Sequence, residues 1–228
     1  MGSFRLGLFS MPWPLANRPS IQLATLKGYL NRYAPDVEVE CHHPYLDVAN
    51  LLGIKTYNRL AERTWVAEAV YAYLMSPDKG REIMALWQRE GGGKGDPTGD
   101  LDELARCINR LHGSKHLALP WSTYDLVGLS ISLSQLTSSL YLIWKIRALH
   151  PHCRIVVGGS NCAGDLGRSL LAHIPEIDFV VNGEGELPLL DLIRGLQCGS
   201  LEGDRECPGL FWRDSRGEIR GGRDPASL

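Results

Sequence analysis

The sequence predicts an α/β protein built on a five-stranded parallel sheet, with helices covering both of its faces. Three observations predict it. Apolar runs at residues 5–10, 125–132, 154–157 and 178–181, together with an alternating run at 37–41, have the length and composition of strands. Segments with helical spacing of apolar residues separate most of them. Parallel neighbours need a crossover of a dozen or more residues, which a helix supplies.

Arg5 to Ser10 reads as a short buried strand, ended by Met11-Pro12-Trp13-Pro14, whose two prolines enforce an extended loop. Ser20 can cap a helix whose Leu23, Leu26, Leu30 and Tyr33 fall on one face, and Ala34-Pro35-Asp36 stops it. Val37 to Cys41 alternates apolar and polar residues, as a half-exposed strand does. Residues 46–116 then change character, with no strand pattern. Ala61, Trp65, Ala69 and Ala72 mark one helical face, Ile83, Leu86 and Trp87 a second, and Leu101, Leu104, Ile108 and Leu111 a third. Gly91-Gly92-Gly93-Lys94-Gly95-Asp96-Pro97 reads as a linker; Lys94 is not followed by Ser or Thr and no strand precedes the run, so it is not a phosphate loop.

Alternation of strands and helices resumes at Tyr124. Asp125 to Ser132 is a strand of the buried type, followed by a helix with Leu136, Leu140, Ile143 and Ile146 on one face and Pro151 beyond its end. Arg154 to Val157 is a strand closed by Gly158-Gly159, Leu166 to His173 a helix, and Asp178 to Val181 a strand. A helix follows Gly183-Glu184-Gly185-Glu186 and runs to Gly195. Leu210 to Arg213 and Glu218 to Arg220, around Ser215-Arg216-Gly217, read as a hairpin. The expected organisation is a Rossmann-like (flavodoxin-like) sheet of order 2-1-3-4-5 from residues 1–45 and 117–200, a helical insertion at 46–116 after the second strand, and a C-terminal hairpin and linker at 201–228.

Composition sets bounds on partners and compartment. The 228 residues are 44% hydrophobic and 22% charged, which suits a globular protein with a core of ordinary size. A net charge of −2 gives no basis for a nucleic-acid partner or an anionic membrane surface. No apolar run reaches the roughly 18 residues of a membrane span, and the N-terminus does not lead into a signal-peptide core. The six cysteines are scattered, so reduced thiols and a cytoplasmic location are expected. His150, His152 and Cys153 lie at a helix end and carry no metal-site pattern. Trp65, Trp87, Trp121 and Trp144 are expected as core or interface anchors.

Ligands of such sheets bind at the carboxyl ends of the strands. Four segments fall there: Ser10 to Pro14, Ser132 to Gln135, Gly158 to Cys162, and Asn182 to Glu186. They are mostly small or amide residues, with Glu184 and Glu186 their only ionisable groups besides Cys162. Short polar residues let backbone amides approach a large ligand; they supply no general base and no nucleophile with a partner. No catalytic residue and no protein metal ligand is expected. Taken singly, each pattern has a plain structural reading. Gly158-Gly159 is a tight turn, the hydroxyls of Ser130, Ser132 and Ser134 satisfy backbone groups, and the glutamates suit a helix N-terminus.

Taken in order, Val127-Gly128-Leu129-Ser130, Val156-Val157-Gly158-Gly159 and Val181-Asn182-Gly183-Glu184-Gly185-Glu186 resemble the cobalamin-binding domain at the front of cobalamin-dependent radical SAM enzymes. The resemblance covers roughly residues 5–41 and 124–196. It implies that Ser130 sits beside the nucleotide tail of cobalamin and that Gly158-Gly159 lets the tail enter the fold. The cofactor-binding set it implies is Met11, Pro12, Trp13, Ser130, Ser132, Leu133, Ser134, Gln135, Gly158, Gly159, Ser160, Asn161, Gly183, Glu184, Gly185 and Glu186, with Trp13 against the corrin face. Tyr45-Leu46-Asp47-Val48-Ala49 and Gly53-Ile54-Lys55-Thr56-Tyr57 resemble radical SAM maturases of ribosomally made peptides, which implies a peptide substrate and C-methylation.

Two departures refine this. Cobalamin domains of the methionine synthase and mutase type carry D-x-H-x-x-G after the first strand; here that loop is Ser10-Met11-Pro12-Trp13-Pro14, so cobalamin is expected base-off without a protein histidine. No two cysteines lie closer than nine positions, so the C-x-x-x-C-x-x-C motif that holds a 4Fe–4S cluster is absent. The expectation is a cofactor-binding portion, inactive alone, that meets a radical SAM catalytic domain carrying SAM and the cluster, in cis or in trans. The alternatives are a flavodoxin-like domain that docks a partner without cobalamin, and a nucleotide or flavin binder using the same strand ends.

Overall fold

In a computed structural model, residues 3–93, 99–199 and 207–221 are described; Lys94 to Pro97 of the glycine-rich linker and Ser200 to Glu206 lie outside them. Strand β1 (Phe4–Ser10) is central, with β2 (Val37–His42) on one side and β3 (Leu126–Ser130) on the other; β4 (Ile155–Gly158) and β5 (Phe179–Val181) continue outward, all parallel. This is the expected order 2-1-3-4-5. The sheet does not stop at five strands, however. β6 (Leu210–Arg213) pairs antiparallel with β5, and β7 (Ile219–Gly221) with β6, giving seven strands.

The hairpin joins the sheet for a physical reason. β5 would otherwise leave an open edge of unpaired backbone groups. Along β6 the side chains alternate, so Leu210 enters the core on one face and Phe211 the core on the other. Arg213 then donates to the carbonyls of Leu171, Ile174 and Ile177, fastening the hairpin to the preceding crossover.

Helices cover both faces. On one face α1 (Ile21–Tyr33) and α9 (Glu186–Cys198) pack Leu23, Leu30, Leu192 and Ile193 onto Leu6, Leu8 and Val156. On the other, α7 (Leu136–Leu149) and α8 (Gly164–His173) pack Ile143, Ile146 and Leu171 onto Phe9, Val127, Leu129 and Val157. Ser20 caps α1 as expected, its hydroxyl accepting from the Leu23 amide at 3.5 Å.

Between β2 and β3 the described residues contain no strand. Five α-helices occupy this stretch where three were expected: α2 (Pro44–Leu52), α3 (Ile54–Ala61), α4 (Thr64–Met75), α5 (Gly80–Arg89) and α6 (Leu101–Leu111). The pattern Ala61, Trp65, Ala69, Ala72 crosses the break between α3 and α4, and Trp65 is 64% exposed. The buried residues of α4 are Val66, Ala67, Ala69, Val70 and Tyr71. α4 touches α3, α5, α6 and α7 at once, so it is apolar on several sides and a single-stripe reading fails. Of the four expected tryptophan anchors, Trp87 and Trp121 are buried, whereas Trp65 and Trp144 are on the surface.

Inside the insertion a polar chain crosses the core. Tyr71 Oη and His112 Nε2 are 2.8 Å apart, His112 Nδ1 and His116 Nδ1 2.8 Å, and His116 Nε2 and Asp47 Oδ2 2.9 Å. One proton pattern satisfies every link: Tyr71 donates to His112, His112 Nδ1–H donates to His116, and His116 Nε2–H donates to the carboxylate. Both rings are then neutral. Burial holds the imidazole of His112 down at about 3 and lowers that of His116, against the opposing pull of Asp47. Depressed histidines contribute stability that is whole above the unfolded value near 6.5 and is lost as pH falls toward the folded value. Urea unfolding is therefore expected to show a loss of up to about 1.4 kcal/mol per pH unit for each such histidine between pH 6.5 and 5. A midpoint that stays constant over that range would rule out the neutral pair.

Candidate functional site

The carboxyl ends of β1, β3, β4 and β5 open into a cavity of about 520 Å³ between the sheet and the first turns of α1 and α9. Its volume lies within the ordinary range of ligand pockets. The cavity exists where the packed layer is thinned by glycine. Gly128 sits on the α1 face of β3, and a Cβ there would come within 2.8 Å of Leu8 Cδ2. Gly158, two positions beyond Val156 on the same face of β4, would bring a Cβ to 3.2 Å from Val181 Cβ. Ser130 lines the cavity, and its hydroxyl makes no hydrogen bond within the described residues.

Half of the sequence-predicted residues meet here: Ser130, Gly158, Gly159, Ser160, Gly183, Glu184, Gly185 and Glu186 all line the cavity. Glu184 and Glu186 are its only ionisable lining groups. Gly159 has φ +107°, and a Cβ on it would lie 2.6 Å from the Ile131 carbonyl oxygen. Glycine is thus required there by the backbone, before any ligand is considered.

The other predicted residues do not line the cavity. They tie the strand-end loops to each other and to the insertion. Gln135 is buried; its Oε1 accepts from the Ser132 amide at 3.1 Å and from the Ser132 hydroxyl at 2.5 Å. Its Nε2 donates to the Met11 carbonyl at 2.5 Å and to Ser10 Oγ at 3.3 Å. Ser138 donates to the Pro12 carbonyl, and Asn161 Nδ2 donates to the Ser132 carbonyl at 3.0 Å. Ser134, with φ 61°, donates to Thr64 Oγ1 at 3.2 Å. Leu133 stands apart at the tip of its loop, 70% exposed.

Trp13 corrects the expectation of a ligand-facing ring. It is 2% exposed, lies 5.2 Å from the Tyr57 ring and 6.0 Å from Tyr71, and donates through Nε1 to the Ala67 carbonyl at 2.9 Å. The ring is the β1 loop's plug in the helical core of the insertion. Glu68 makes the reverse connection: its carboxylate accepts from the Leu136 and Thr137 amides at 3.1 and 2.8 Å, capping the positive end of α7.

Sequence reasoning missed the opposite wall. Ile21, Gln22, Thr25 and Leu26 of α1, with Leu189 of α9, line the cavity across from the glycines. Ile21, the first residue of α1, is 70% exposed. Periodicity placed Leu23 and Leu26 on the buried face but could not show that the layer beneath them is open.

The histidines lie elsewhere. His42 Nε2 is 2.9 Å from the Tyr124 hydroxyl, and the ring stacks on Phe9 at 4.5 Å. Tyr124 itself donates to Glu40 at 2.7 Å, so His42 donates to the Tyr124 oxygen. His43 precedes α2 and lies edge-on to Tyr45. Among the described residues no cluster of His, Cys, Asp and Glu is arranged to hold a metal ion, and no helix is long and apolar enough to cross a membrane.

No family model matches the chain, and no curated protein matches it. Solved structures do. The cobalamin-dependent S-adenosylmethionine radical enzyme OxsB, solved with aqua-cobalamin and S-adenosylmethionine bound, matches with a TM-score of 0.54 at 16% identity, over 98% of this chain and 22% of OxsB. The radical S-adenosylmethionine methyltransferase TsrM from Kitasatospora setae, with cobalamin and its 4Fe–4S cluster bound, matches with a TM-score of 0.53 at 15% identity, over 100% of this chain and 30% of TsrM. TsrM with tryptophan and a SAM analogue bound matches at 0.51 and 16%. At these identities the likeness establishes a shared fold, and the chain spans less than a third of either protein.

The contacts of Trp13 make it a structural residue. Trp13→Ala is expected to lower unfolding free energy by about 3–5 kcal/mol, the range for emptying a buried aromatic site. Chemical denaturation followed by far-UV circular dichroism measures this; a loss below about 1 kcal/mol would contradict the plug.

Proposed function

We propose that this chain binds cobalamin base-off and presents it to a radical SAM active site, in the same polypeptide or on a separate partner, for methyl transfer to a peptide substrate. The observation that carries this reading is the cavity floored by Gly128 and Gly158, opening at the strand ends between α1 and α9. Its place coincides with the residues whose order resembles the cobalamin-binding pattern. The fold shared with OxsB and TsrM, both solved with cobalamin bound, supports the same reading. The peptide substrate rests on the resemblance of residues 45–57 alone.

The residues present fit the cofactor. A slot of about 520 Å³ suits the nucleotide tail of such a cofactor. Bound cobalamin would supply the methyl-carrying metal centre, a chemistry that no side chain of the cavity provides. The chain's own part is to bind and orient. Ser130 and Ser160 offer hydroxyls to the ribose and phosphate, and the first amides of α9 offer donors to an anionic oxygen. Glu184 and Glu186 can accept from the primary amides at the corrin periphery. A tail held in the cavity would be kept away from cobalt, which is the base-off state proposed. Base-off binding without histidine rests on the absence of D-x-H-x-x-G from the loop after β1; His42 is engaged by the Tyr124 hydroxyl and stacked on Phe9.

The surface around the opening fits a covered site. Ile21 begins α1, Leu133 tips the β3–α7 loop, Leu166 lies in the first turn of α8 and Leu187 in that of α9, and they are 70, 70, 50 and 45% exposed. Exposed apolar side chains at the ligand end of a sheet suit contact with a large ligand or a partner. SAM and the iron–sulfur cluster would belong to that catalytic partner.

The purified chain, mixed with hydroxocobalamin and desalted, is expected to retain corrin absorbance in about equimolar amount. The spectrum is expected to stay the same in the His42→Ala/His43→Ala double variant. A folded protein that retains no corrin would overturn the cobalamin reading. A nitrogen-ligated spectrum that disappears in the double variant would overturn base-off binding without histidine.

A further inference from the structure

We propose that the cavity selects its corrinoid by the base of the nucleotide tail, admitting an apolar benzimidazole and disfavouring adenine. This rests on the cobalamin reading above and adds a specificity to it. The cavity has two chemically distinct zones. Its buried lining residues carry carbon-only side chains or none: Leu8, Val156 and Val181 from the sheet, Leu23 and Leu189 from the helices, with Gly128 between. Every polar lining side chain is exposed or half-buried, as in Gln22, Thr25, Ser130, Ser160, Glu184 and Glu186.

The backbone of Leu8, Gly128 and Val156 and the amides of Leu23 and Leu189 are already engaged. Leu8 is paired with Gly128 and Gly128 with Val156 in the parallel ladder, so their amides and carbonyls are engaged within the sheet. Leu23 and Leu189 lie within α1 and α9, and the Leu23 and Leu189 amides bond Ser20 and Gly185. A base entering this zone meets aliphatic surface from the sheet and from the helices and finds no polar side chain.

A dimethylbenzimidazole presents only carbon along its outer edge and suits such walls. Adenine carries an exocyclic amine and ring nitrogens that would be buried unpaired, which lowers affinity by roughly tenfold or more. The ribose and phosphate are common to both tails and meet the same polar mouth, so the difference isolates the base. Gly128 sets how far the base can enter, because any side chain there would collide with Leu8.

The full chain would be titrated by equilibrium dialysis, with visible absorbance as readout, against three corrinoids: hydroxocobalamin, its adenine-tailed counterpart, and cobinamide, which has no nucleotide tail. The expected order is hydroxocobalamin tightest, the adenine corrinoid about tenfold or more weaker, and cobinamide weakest. Equal affinity for the benzimidazole and adenine corrinoids would overturn the selectivity while leaving cobalamin binding intact. Binding of none of the three would overturn the cobalamin reading itself, and cobinamide bound as tightly as cobalamin would remove the tail from the cavity. Val156→Thr, nearly isosteric, adds a hydroxyl to the buried zone and is expected to shrink the ratio between the two tailed corrinoids. A ratio unchanged in that variant would overturn the part assigned to Val156.

Discussion

A helix laid on a parallel sheet normally buries a continuous layer of side chains, and this fold depends on where that layer is interrupted. Gly128 and Gly158 fall on the α1 face of two adjacent strands, near their carboxyl ends. Two residues before Gly158 and in register with Gly128, Val156 restores the layer, and Leu6 and Leu30 close it toward the other end of the sheet. The interruption is therefore confined to the ligand end. Glycine there costs apolar contacts that valine or leucine would make, about 1.5–3 kcal/mol for each fully buried side chain. The opposite face keeps a buried apolar layer, from Phe9 through Val127 and Val157 to Val180, which offsets that loss.

The sheet itself was legible because its strands are short, apolar and separated by helices of clear spacing, and only one handed arrangement connects such a series economically. The hairpin strands were legible but their joining the sheet as its sixth and seventh strands was not, because a hairpin beyond residue 201 reads the same whether it stands alone or extends an edge. What decides is the need of β5, three residues long, for a partner on its outer side. The insertion was harder still. Its helices bury aromatic and aliphatic residues on several sides, so periodicity misjudged Trp65 and merged α3 with α4. The candidate site was half legible. Residue type and order pointed to Ser130, Gly158 and Gly183 to Glu186, whereas the wall formed by α1 depends on an opening between layers that no spacing rule reveals.

The remaining predicted residues show what short polar side chains at strand ends do when they are not lining a cavity. Gln135 joins the β1 loop to the β3 loop, Asn161 joins the β4 loop to the β3 loop, and Ser134 meets Thr64 of the insertion. Buried amides and hydroxyls of this kind are stabilising only when fully paired. With Trp13 plugged into the helical core and Glu68 capping α7, the insertion and the strand ends brace one another. The same composition that suggests ligand contact thus performs two separable tasks, and only the geometry tells them apart.

That separation bears on what the site can do. Five of the residues lining the cavity are glycines, and the loops behind them are already hydrogen-bonded to each other. Binding would then require little ordering of the protein, and ordering is a major cost of association. Precise placement of a cofactor needs such a supporting shell more than it needs many direct contacts. A change in the supporting shell should register first as lost fold stability, a change in the cavity lining first as altered ligand choice. The lining offers hydroxyls, amides and two carboxylates at its mouth and aliphatic walls within, a set suited to hold a bulky group by its tail. Reactivity would have to come from the group it holds and from whatever meets the exposed Ile21, Leu133, Leu166 and Leu187.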